Sequence, residues 1–142
     1  MSIIDAFDSS EEKKNKSHLR NIIRLAMADG QIDDAELDRI RKAARFLGVT
    51  PAETDELIAN PDKIHFIPPA TKQERLERLV RLMRVVLADG IISSAEDALL
   101  RRICIGLGFD QAKIRTLIDA GYDALKQGKD TDEVIEVLEP MC

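Results

Sequence analysis

Two short acidic stretches carry the most chemical promise in this chain. Ala28-Asp29-Gly30-Gln31-Ile32-Asp33-Asp34-Ala35-Glu36 returns sixty residues later as Ala88-Asp89-Gly90-Ile91-Ile92-Ser93-Ser94-Ala95-Glu96. The shared pattern Asp-Gly-x-Ile-x-x-x-Glu matches the second half of a calcium-binding helix–loop–helix. Its first half is missing. The two leading carboxylate positions would fall on Leu25 and Met27, and on Val85 and Leu87, which are core-type residues of a continuing helix. A calcium loop of that kind is therefore excluded.

Two uses remain for the acids. Glu36 and Glu96 stand three residues after Asp33 and Ser93, so each completes a helix-start capping box. Asp29 and Asp89 can accept N–H bonds from the turn that follows. Alternatively, the acids bind a hard divalent cation. Asp29 and Asp89 lie at helix C-termini, where the dipole disfavours negative charge. Asp34 and Asp38 add to the acid around the first copy. A packing that brings the corners together would let several carboxylates share one ion, most of them from the first copy.

These corners need helices on both sides, and the chain supplies them. Residues 1–8 read as a short arm, docked through Ile3, Ile4 and Phe7. Ser9 and Glu12 cap a first helix running to about Ala28, with Leu19, Ile22, Ile23 and Ala26 on one face. Lys13, Lys16, Arg20 and Arg24 form a basic stripe on another face, read as solvated. Gly30 closes this helix as a left-handed residue. The second helix carries Leu37, Ile40, Ala43, Ala44 and Leu47 and stops at Gly48. Thr50-Pro51-Ala52-Glu53 starts a short third helix that ends by Asn60-Pro61.

Residues 60–70 form the long linker. Its three prolines forbid a helix, while Ile64, Phe66 and Ile67 predict that it lies against the body. His65 has no second ligand at useful spacing and reads as a surface residue. Thr71 and Glu74 cap a fourth helix with Leu76, Leu79, Val80, Met83 and Leu87 inward. Its cations Lys72, Arg75, Arg78, Arg81 and Arg84 wind round it and make no single face. Ser93 and Glu96 cap the fifth helix, which stops at Gly108. Asp110 caps the sixth, where Gly121 predicts a break or kink. Asp130 and Glu133 start a last short helix ended by Pro140. No stretch alternates with a period of two, so the fold is all-α, about seven helices with no sheet.

Residues 25–58 align with 85–118 without a gap, with about a dozen of the 34 positions identical. That duplication predicts two helix–loop–helix–turn–helix repeats packed by a pseudo-twofold. We read one domain over 1–142: repeat one 10–60, linker 60–70, repeat two 71–128 and a C-terminal short helix 130–139. Neither half is large enough to bury much alone.

Composition narrows the function. Of 142 residues, 44% are hydrophobic and 33% charged, as in a soluble protein. The net charge of −5 argues against nucleic-acid binding. Cys104 and Cys142 have no metal-ligand spacing and read as free thiols. No run approaches a membrane span, and the expected location is cytoplasmic. There is no nucleophile–base pair, phosphate loop or His cluster, so no enzyme is predicted.

Leu-Ala-Met-Ala-Asp-Gly-Gln-Ile-Asp-Asp-Ala-Glu-Leu at 25–37, with Phe-Leu-Gly-Val-Thr at 46–50, resembles the TerB-like tellurite-resistance family. That family includes the N-terminal domain of the co-chaperone DjlA. The second copy, with Gly-Leu-Gly-Phe at 106–109, is similar. The resemblance covers about residues 15–125 and implies an all-helical, two-repeat, non-enzymatic module of cytoplasmic stress-response systems. It implies a divalent cation (calcium, magnesium, manganese or zinc) on Asp29, Glu36, Asp89 and Glu96, with Asp33 added. It also implies a basic face for phosphate, other stress-response proteins or membrane-associated partners, here Lys13, Lys16, Arg20 and Arg24. The alternative is a metal-free protein-binding scaffold whose acids only cap helices.

Overall fold

Helix starts in this chain are written as capping pairs, and five of the seven α-helices among the described residues begin at one. The structure is a computed structural model that describes residues 10–28, 30, 32–88 and 92–142. The N-terminal arm, the Ser9 cap, Asp29, Asp89 and Gly90 lie outside the described residues. The helices are α1 (Ser10–Ala26), α2 (Asp34–Phe46), α3 (Pro51–Ala59), α4 (Lys72–Leu87), α5 (Ser94–Gly106), α6 (Ile114–Lys126) and α7 (Thr131–Leu138). No strand occurs among the described residues. None of the described helices is long and apolar enough to cross a membrane.

The chain separates into two compact units, Met1–Ile67 and Pro68–Cys142. In the first, α1 packs on α2 and α3. Leu19, Ile22, Ile23, Leu25, Ile40, Ala44 and Leu57 are buried there, largely the residues that helical spacing selects. The linker closes this unit through a 3-10 turn at Pro61–Lys63. Ile64 is buried, and the Ile67 N–H donates to Ser17 Oγ at 2.8 Å. His65 is exposed, as a surface residue should be.

In the second unit α4 packs on α5, α6 and α7. Leu76, Val80, Leu117, Val134, Ile135 and Leu138 form a core cluster. Leu82 and Val86 are buried beyond the predicted face. Two expectations need correcting here. Asp110 caps a 3-10 turn, Gln111–Lys113, and α6 begins only after it. Gly121 does not break α6, which runs through it to Lys126. Its role is packing: a β-carbon there would stand 2.5 Å from the sulfur of buried Met83. Glycine lets α6 approach α4 closely, at a helix-propensity cost of about 1 kcal/mol.

The acidic corners and the basic stripe

At the first corner α1 ends in two tightening bonds, from Ala28 N–H to Leu25 O at 3.2 Å and from Gly30 N–H to Met27 O at 2.9 Å. Gly30 takes φ +119°, the left-handed half of the map expected of it. Asp33 is the N-cap of α2, its Oδ1 accepting the Glu36 N–H at 2.7 Å. At the second corner Ser93 Oγ accepts the Glu96 N–H at 3.0 Å, and Glu96 Oε1 accepts the Ser93 N–H at 3.3 Å. That is a complete capping box. Asp33, Glu36 and Glu96 therefore sit at helix starts, Asp33 exposed and both glutamates half-buried.

Asp29 and Asp89, the acids shared by both turns, lie outside the described residues. Among the described residues no group of three or more His, Cys, Asp or Glu side chains is arranged to hold a metal ion. Asp33, Glu36 and Glu96 do not by themselves make a cation site.

The second corner has neighbours that sequence reading missed. Arg115, in the first turn of α6, grips Asp97 at 3.0 and 3.4 Å and reaches Asp119 at 3.6 Å. Tyr122 is buried close by, and among the described residues its hydroxyl has no hydrogen-bond partner. Burial first, and then the Asp97 and Glu96 carboxylates, push its phenol well above the usual range.

The basic stripe is not the solvated face expected. Lys16 is only 3% exposed and forms an ion pair with Glu53. Arg20 and Arg24 both turn toward Asp62, at 3.7 and 3.9 Å. The reason is positional: α3 and the linker bring Glu53 and Asp62 up to the side of α1 that carries the cations. Burial alone would raise the Glu53 pKa. The Lys16 bond and the Thr50 bonds outweigh it and hold the carboxyl below its usual range. Burial, and then Arg24, lower the Arg20 pKa, and Asp62 offsets part of this. Lys13 is half-exposed, and Arg24 is more open than Lys16 and Arg20, the other paired cations of the stripe. The signal for Glu53 was in the sequence, but as a cap. It serves both tasks, accepting the Thr50 N–H at 3.1 Å as well.

Comparison with family models matches the tellurite resistance protein TerB over residues 1–59 and 64–119. Comparison with curated proteins and with solved structures gave no match. The TerB match takes in both acidic turns, both first helices and most of the chain, and so the chain belongs to the TerB tellurite-resistance family.

Proposed function

We propose that this chain acts without catalysis, as a helical binding module of a tellurite-resistance-like stress response in the cytoplasm. Its partners are other proteins of that response, membrane-associated ones among them. The observation that carries this reading is how the described residues of the corners are spent. Asp33, Ser93 and Glu96 bond to the first turns of their own helices. The corners then shape the module, and partner contact falls to its open surfaces. Of the basic stripe, Lys13 and Arg24 keep the most solvent access. Affinity capture from tellurite-challenged cells, comparing wild type with K13E/R24E, tests that assignment. Reduced capture of stress-response proteins is expected, and unchanged capture would remove the stripe from the interface.

A second reading has one observation in its favour, the exposed Asp33 carboxylate beside the duplicated Asp-Gly turn. In it a divalent cation binds Asp29, Asp33 and Glu36, or Asp89 and Glu96. The described donors are too few, so this reading stands on Asp29 and Asp89. Thermal unfolding with calcium, magnesium, manganese and zinc tests it. A rise in Tm that D29N/D89N abolishes supports the site, and no rise with any of the four ions ends it.

A further inference from the structure

In the second unit, the turn after α5 borders a cavity of about 380 Å3. That volume is within the range of small-molecule sites. Leu107 and Leu117 are buried in its floor and Phe109 is half-buried beside them. Lys72, Arg75 and Lys113 line its rim with one acid, Asp110, whose Oδ1 already accepts the Ala112 N–H at 3.0 Å. Arg75 Nε donates to Pro69 O at 2.8 Å, which anchors the guanidinium and leaves its terminal nitrogens beside Gly108. A β-carbon on Gly108 would stand 2.6 Å from Arg75 Nη1, and at φ +91° the position is already one for glycine. Lys72 reaches the Glu139 carbonyl, at 3.5 Å. Among the described residues none of these three cations is paired with a carboxylate.

The same turn in the first unit is spent internally. Sixty residues before Arg75 stands Asn15, whose Nδ2 donates to Leu47 O at 3.3 Å. Sixty before Lys113 stands Glu53, which takes Lys16. Sixty before Lys72 stands Glu12. Two acids and an amide have thus become three cations around one turn, over an apolar floor, and among the described residues the acid of that rim, Asp110, is paired with none of them.

We propose that this cavity binds a small amphiphilic carboxylate, its head held by Arg75, Lys72 and Lys113 and its apolar body on Leu107, Phe109 and Leu117. The Arg75 fork suits a carboxylate, and charge-assisted bonds to it are the strong ones. Asp110 on the same rim disfavours compact, multiply charged anions, and such anions would leave the floor without a partner.

Octanoate is the probe. Cys142 lines the cavity, while Cys104 is fully buried with its thiol pushed up to about 12, so alkylation of the native chain reads Cys142. Octanoate should slow that alkylation saturably and shift the amide resonances of Gly108, Phe109 and Lys113. Octanol and inorganic phosphate should need at least about tenfold higher concentration for half-protection, because each lacks one of the two contacts. K72E/K113E, at exposed positions, should weaken octanoate by about tenfold or more, with K72Q/K113Q in between. No saturable protection, equal protection by octanol or phosphate, or octanoate binding unchanged in both double variants would overturn the proposal.

Discussion

The first helices of the two units follow the same plan and are buried by opposite means. Helix α1 buries Lys16, Ser17, His18 and Asn21 along with its leucines and isoleucines. Helix α4 buries Leu76, Leu79, Val80, Leu82, Met83 and Val86 and no charge. The exchange is pairwise at a spacing of sixty. Lys16 with Glu53 becomes Leu76 with Lys113, and Arg20 with Asp62 becomes Val80 with Tyr122. One helical frame thus takes a cation or an apolar side chain at the same two positions, and the carboxylate at the matching place is present only where the cation is. A buried charge is costly without its partner, and an apolar replacement of the whole pair is tolerated.

The largest effect should come from Leu76→Lys, which puts the first unit's cation at a fully buried site, while the position sixty after Glu53 holds Lys113 in place of a carboxylate. It should destabilise the second unit by more than about 4 kcal/mol in urea unfolding, or leave it unfolded. Adding Lys113→Glu should recover part of that loss. A single variant as stable as wild type would show that the two flanks are not exchanged as pairs. Next in size is Gly121→Val. The first unit has Pro61 at the matching place and ends its helix there, whereas α6 continues against Met83. The added methyls should cost about 2–3 kcal/mol by overpacking, read as a lower urea midpoint.

Glu53→Gln keeps the cap geometry but leaves buried Lys16 facing an amide. A loss of about 1–3 kcal/mol is expected. The pH profile sharpens this. Because folding lowers the Glu53 pKa, its contribution is present above the ordinary glutamate value and is lost as pH falls through the folded one. Wild type should therefore lose its margin over the variant on acidification below about pH 4. A margin independent of acid would mean that the pair carries no net stability. The smallest effect belongs to the caps. Ser93→Ala should cost about 1 kcal/mol, since it removes the acceptor for the Glu96 N–H.

Most of the helical frame was legible in the sequence because helix starts and stops are local chemistry. Thr50-Pro51-Ala52-Glu53, Ser93 with Glu96, and Asp130 with Glu133 all form the boxes that their spacing predicts. What local pattern cannot report is which distant element lies opposite. The Lys13–Arg24 stripe has the spacing of a solvated face, and only the approach of α3 and the linker draws Lys16 onto Glu53 and Arg20 onto Asp62. Gly121 failed for the same reason. Its missing side chain answers to Met83, thirty-eight positions earlier, and not to its own helix. The N-caps Asp33 and Ser93 were readable, but the full capping box expected at both corners forms only at Ser93 and Glu96, since α2 has the Asp33 half alone. The cavity beside α5 was not readable, since its cations come from α4 and from the turn before α6.

Asp33 and Glu96 are thus helix caps at the two corners of what we propose is a binding module. The most direct test of that reading is thermal unfolding of wild type and E36Q/E96Q, each in chelator and in saturating manganese. Glutamine still fits the Ser93 capping box, and the Asp33 cap takes only the backbone N–H of residue 36, so four superimposable unfolding curves are expected. A manganese-dependent rise in the wild-type Tm that is lost in E36Q/E96Q would contradict it.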